Sequence, residues 1–142
     1  MKEESKVAQA VREAMLKAAE KGENIKAKVG EISREAVKTA LEKTELTRDA
    51  VREAAQGVMK GVIDTAEIVK LEASELVKEA SKGILEGTKQ AGGEVADLTR
   101  HAADAALEAA KEAGSKAVDM TKSAFKGLLD GTKDILKKKN EQ

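Results

Sequence analysis

At 142 residues the chain has the length of one ordinary domain, yet it holds one Phe and no Tyr, Trp, Pro or Cys. Those absences exclude an aromatic-rich core, a disulfide framework and thiol chemistry. Twenty-six basic residues balance 26 acidic ones, leaving no net charge with which to hold a polyanion, so nucleic acid is not an expected partner.

Residues 1–9 read as a charged lead-in. Met1-Lys-Glu-Glu-Ser5 carries acids where a signal peptide would be apolar, and Ser5 is placed to cap a helix ahead of Val7 and Ala8. No uncharged apolar run approaches the ~18 residues of a membrane-spanning helix. A soluble, cytoplasmic protein is the expectation.

From Ala10 to Glu141 the chain divides into twelve consecutive eleven-residue units with no insertion or deletion, and each unit ends in an acid, from Glu20, Glu31, Glu42 and Glu53 through Asp130 to Glu141. Twelve acids at twelve equally spaced positions are not a product of composition. Numbered from 1 to 11 with the acid last, positions 5 and 9 are almost all apolar: Ile25, Val58, Val69 and Ala80 at the first, and Val51, Val62, Ile84, Val95 and Leu128 at the second. Thr47 and Lys139 are the exceptions. Positions 1 and 2 join them, because eleven residues make three helical turns and place 1, 5, 9 and 2 within about a quarter of the circumference. The acid falls on the opposite side, often three residues before a base, as in Glu86/Lys89 and Asp97/Arg100.

A second period, two units long, lies over the first. Position 10 is large in alternate units, with Leu41, Ile63, Leu85, Leu107 and Leu129 set against Gly30, Arg52, Ser74, Ala96 and Val118. Position 1 alternates likewise, Ile32, Leu76, Leu98 and Met120 against Lys43, Thr65, Gly87 and Gly131. Lys60-Gly-Val-Ile-Asp64, Lys82-Gly-Ile-Leu-Glu86 and Lys126-Gly-Leu-Leu-Asp130 repeat the same wording, which points to duplication of a double, 22-residue unit.

One unbroken helix of this length would reach ~210 Å, and three places are suited to turns: residues 22–24 at Gly22 and Asn24, residues 44–47 with Thr47 as a cap, and the Gly92-Gly93 pair. Leu46 and Val51 are spaced as a hydrophobic staple across that cap. The fold expected is all-α, with long amphipathic helices folded together in a bundle or wound as a hendecad coiled coil, slightly right-handed at 3.67 residues per turn. Twelve repeats form a single helical repeat domain over residues 10–141 in this reading.

Units with small or apolar residues at 1, 2, 5 and 9 and an acid at 11 resemble the eleven-residue motif of group 3 late-embryogenesis-abundant proteins over Ala10 to Glu141. That resemblance implies a stress protectant, largely unfolded in dilute solution, that becomes an amphipathic helix on drying or against a membrane. Pairing of the units into doublets is similar, more distantly, to the exchangeable apolipoproteins, although the Pro that punctuates their repeats is missing. Two departures from the first family favour a folded state: Lys is not fixed at positions 6 and 8, and the strong units are rich in Leu, Ile and Val.

Chemistry-bearing constellations are sparse. His101, with Asp97 four residues before it and Asp104 three after, offers three ligand types near one face, but position 4 is exposed and no second His or Cys joins it. No metal, cofactor, small-molecule substrate or catalytic residue is expected, and the chain reads as non-enzymatic. Lys137-Lys138-Lys139 reads first as a solvated helix end that complements the macrodipole and second as an attractor of anionic lipid or a polyanion. Gly57/Gly61, Gly83/Gly87 and Gly127/Gly131 have the small-xxx-small spacing that lets helix backbones approach closely. Two functions follow: a protectant of membranes or proteins acting through the helix face, or a self-assembling structural scaffold. Self-association is the expected partnership, with weak lipid-surface or client-protein contact beside it.

Overall fold

The computed structural model describes residues 5–92 and 96–140, with side-chain surroundings for residues 5–92 and 98–127. Within them the protein is all-helical and its helices pack together. They are α1 (Lys6–Glu20), α2 (Ile25–Glu42), α3 (Arg48–Val69), α4 (Ala73–Gln90), α5 (Ala96–Ala110) and α6 (Ser115–Asn140), with a 3-10 turn at Lys111–Ala113 between the last two. Helix begins at Lys6, directly after the Ser5 cap, and Ala8 is fully buried.

Side chains start the first three helices, and φ reversals stop α1, α3 and α4. Ser5 Oγ accepts from the Ala8 amide at 3.3 Å, Asn24 Oδ1 from Ala27 at 3.4 Å and Thr47 Oγ1 from Ala50 at 3.1 Å, each satisfying one of the orphan donors of a helix N-terminus. Gly22 (φ 73°), Gly92 (φ 103°) and Gly114 (φ 102°) supply left-handed backbone where α1, α4 and the 3-10 turn end. The chain also reverses after α3, at Lys70, whose φ is 58° without the licence of glycine. Lys70, Gly92 and Gly114 follow one another at intervals of two units. The longer sequence period therefore corresponds to one helix and its turn. Two of the reversals, at 70–72 and 111–114, have no counterpart among the three sequence-marked turns.

Each helix packs on the next and on the next but one. The principal contacts pair α2 with α4, α3 with α5, α1 with α3 and α4 with α6. Odd-numbered helices form one row and even-numbered helices the other, with the core between and within the rows. Contacts advance in step: Gly57 and Gly61 of α3 meet Val7 and Val11 of α1 in that order, and Gly83 and Gly87 of α4 meet Ser33 and Val37 of α2. Helices of one row therefore run parallel.

Met15, Val37, Met59, Ser81, Ala103 and Phe125 are all buried, and they occupy position 6 of every second unit, outside the four-position stripe read from the eleven-residue repeat. Position 6 lies beside position 2 on the helix circumference. A helix flanked by neighbours in its own row and the other must bury a wider arc than one seam requires. Averaging over single units hides this arc, since the intervening units hold Lys26, Arg48 and Lys70 there.

Lys70→Gly is expected to stabilise the fold by about 1 kcal/mol, the cost of a β-carbon in left-handed backbone, raising the midpoint of thermal unfolding by about 4 °C. Differential scanning calorimetry of the two proteins checks it.

Candidate functional site

Two seams, α1 against α3 and α2 against α4, bring helix backbones unusually close, and glycine is the reason. A β-carbon added at Gly61 would lie 2.7 Å from the Ala8 carbonyl oxygen and 3.0 Å from Val11 Cβ. In the second seam the partners are the Gly30 carbonyl oxygen and Ser33 Cβ, with Gly83 the residue they crowd. Every member of the second set stands two units beyond its counterpart in the first. The same three-body contact is built twice. Gly57 beneath Ser5 and Val7, and Gly87 beneath Arg34 and Val37, extend the two seams by one helical turn.

Around these seams lie the large residues of the packing face. Val62, Ile63, Leu76, Ile84, Leu85 and Leu41 are buried, while Leu98, Leu107 and Met120 are half-buried in the α5–α6 region. Val95 lies outside the described residues, as do the side-chain surroundings of Leu128, Leu129 and Gly131. Gly127 differs from its two copies, for a β-carbon there would meet nothing within 4 Å. The same Lys-Gly-apolar-apolar-acid pattern at three places therefore gives close backbone contact at two.

Buried hydroxyls in the core turn inward to their own helix. Thr65, Ser81, Thr88 and Thr121 donate to the carbonyl four residues back at 2.6–2.8 Å, which satisfies them without partners on other helices. Ser33 Oγ and Arg34 Nε, both in the α2–α4 seam, are buried with no hydrogen-bond partner among the described residues. Close approach there leaves polar groups unsatisfied, at a cost of about 1–3 kcal/mol each.

The unit-final acids face outward. Glu20, Glu31, Glu42, Glu53, Glu75, Glu86, Glu108 and Asp119 are exposed and Asp64 is half-buried. Two of them join helices of the same row: Glu75 pairs with Lys26 at 3.7 Å, and Glu108 with Arg52 at 3.3 Å. Glu72 and Lys116 do the same for α4 and α6 at 3.5 Å. Exposed pairs of this kind contribute about 0–1 kcal/mol each. His101 is half-buried with Nδ1 3.5 Å from the Arg52 guanidinium, and no group of three or more His, Cys, Asp or Glu suited to a metal is found among the described residues.

Two concavities stand out among the described residues. A groove of about 700 Å³ runs between α1 and α2 on the face turned away from α3 and α4, with Ala10, Ala14, Ile32, Ala36 and Ala40 in its floor and lysines and glutamates along its walls. A smaller cleft of about 460 Å³ lies where the α1–α2 and α3–α4 turns meet, beside Leu71, which is 44% exposed. Among the described residues no helix is long and apolar enough to cross a membrane. Comparison with protein-family models, curated proteins and solved structures found no match.

The seams give opposite expectations for one substitution. Gly83→Ala drives a β-carbon into the Gly30 backbone and is expected to cost about 1–3 kcal/mol. Gly127→Ala fills open space on a helix and should gain about 0.5–1 kcal/mol. Urea unfolding of both variants against the parent measures the difference, and equal signs would contradict the seam geometry.

Proposed function

We propose that the chain is a non-enzymatic structural scaffold: an array of double-unit helical repeats whose work is to hold and present surfaces to other macromolecules. The observation that carries this reading is the glycine contact repeated in both seams with every partner displaced by two units. Glycine inside a helix costs about 1 kcal/mol relative to alanine. Retaining it where a neighbouring backbone fills the space is sensible only if the packed state is the working state.

On this reading each pair of hendecads supplies one helix and one turn. The apolar stripe covers neighbouring units of the same chain, and supercoiling of one long rod is not needed to bury it. The protectant reading calls for that stripe to be free for membranes or client proteins. Its leading residues, Val62, Ile84 and Leu85 among them, lie instead in contacts between helices, which favours the scaffold.

Far-ultraviolet circular dichroism during heating in dilute buffer separates the two. A scaffold loses strong helicity in one cooperative transition; weak helicity without a transition would return the protectant reading to first place. Leu85 is 2% exposed and Glu86 is exposed. Leu85→Lys is therefore expected to cost about 3–5 kcal/mol, as a core truncation with an added buried charge does, whereas Glu86→Gln should stay within about 0.5 kcal/mol.

A further inference from the structure

The α3–α4 turn is built from residues that suit a helix better than a reversal. Val69-Lys-Leu-Glu-Ala73 holds no Gly, Pro, Asn, Ser or Thr, and Lys, Leu, Glu and Ala are strong helix formers. By contrast the α1–α2 turn holds Gly22 and Asn24, Thr47 opens α3, and Gly92 and Gly114 lie beyond α4 and the 3-10 turn. The left-handed residue here is Lys70, the one non-glycine with positive φ among the described residues. α1, α2 and α3 each begin with a side-chain cap, but Glu72 makes no such bond at the start of α4. Local preference at this turn therefore opposes the hairpin, which is held closed by the packing of α4 on α2 and α3.

The apolar register also passes through the turn unbroken. Val62, Ala66, Val69, Ala73, Val77 and Ala80 recur at spacings of three or four residues, so one continuous helix would carry them on one side. Val62 and Ile63 of α3 and Ile84 and Leu85 of α4, all buried in the core, stand two units apart. Two units make six turns at 3.67 residues per turn. Straightening the turn therefore leaves the core face of α3 and the core face of α4 in line.

We propose that the α3–α4 turn is a hinge through which two copies of the chain exchange α4–α6; the proposal rests on the folded-array reading above. The turn straightens, α3 and α4 become one helix from Arg48 to Gln90, and α4–α6 of each copy packs on α1–α3 of the other. The two long helices run antiparallel about a two-fold axis at the turn. The principal contacts that join the halves of one chain, α2 with α4, α3 with α5 and α3 with α4, are remade between chains. What changes is the turn itself: two left-handed lysines return to right-handed backbone, and the first amides of each α4 regain carbonyl partners one turn back. Against this stands the freedom lost when two chains associate, so protein concentration sets the balance. An exchange of this kind satisfies both copies and closes at two. Its product joins two arrays end to end.

The chain has no cysteine, so spin labels can be attached at Gln56→Cys and Glu86→Cys, exposed positions on α3 and α4. Doubly labelled chain is mixed with excess unlabelled chain, refolded from urea at low and at high concentration, and separated by size; electron double resonance then reads the distance within one chain. The monomer is expected to give about 25 Å or less, two packed helices with outward labels. A dimer, twice 15.0 kDa, should give roughly 45 Å, the rise of helix from residue 56 to residue 86. Lys70→Gly favours the left-handed turn and weakens the straight helix at two hinges per dimer, and is expected to lower the association constant by about 100-fold or more. Glu72→Pro, where φ is already −71°, should lower it by about 1000-fold or more while the monomer keeps its helicity by circular dichroism. A dimer whose labels stay at the short distance, or one that neither substitution weakens, overturns the exchange. A cooperatively melting monomer at every concentration also overturns it and leaves the scaffold reading intact, whereas a chain with no melting transition overturns both.

Discussion

Close approach of parallel helix backbones at Gly61 and Gly83 is the constraint on which the rest of the architecture depends. A β-carbon at either site would collide with a carbonyl oxygen of the neighbouring helix, and a carbonyl in a helix cannot move aside without breaking its own ladder. Once two helices of a row are held this close, the large residues flanking the glycines are committed to the space between rows. Leu85 and Ile84, which follow Gly83 immediately, are buried there, as are Val62 and Ile63 after Gly61. Small residue for the row, large residues for the other row: the tripeptide beginning at each glycine encodes both contacts at once.

That division explains why the sequence showed its helices clearly and their arrangement only in part. Helical phase, the outward acids and the turns near Gly22, Thr47 and Gly92 are local properties, written in spacing and cap chemistry. The turn at Lys70 was illegible because its left-handed residue is lysine, with no glycine or proline to mark it. Its signal was indirect, in that Lys70 stands one double unit before Gly92. The packing role of position 6 was hidden for a related reason. Met15 and Met59 alternate with Lys26 and Lys70, so an average over single units makes the position look neutral, while an average over double units makes it core at one register and a turn or the first turn of a helix at the other.

Sequence identity between repeats does not guarantee identical roles either. Lys126-Gly-Leu-Leu-Asp130 copies the wording of the two seams, yet Gly127 has open space where Gly61 and Gly83 have a backbone. A glycine in this wording serves close packing only where a neighbouring helix comes within reach of it. The difference lies in tertiary context, beyond the reach of any pattern in the chain.

The face of α3 and α4 that carries Gly61, Gly83 and Gly87 has a changed counterpart on α1 and α2. Lysine and threonine replace glycine where a neighbouring backbone would come closest, while Ala10, Ala14, Ala36 and Ile32 keep the floor apolar. Lysine at 17 and 43 and threonine at 39 fill the places where glycine admits a neighbouring backbone in the two seams, so the first hairpin cannot take part in that close contact on this face. One change of residue size at a fixed register thus separates a helix face that admits a backbone from one that does not.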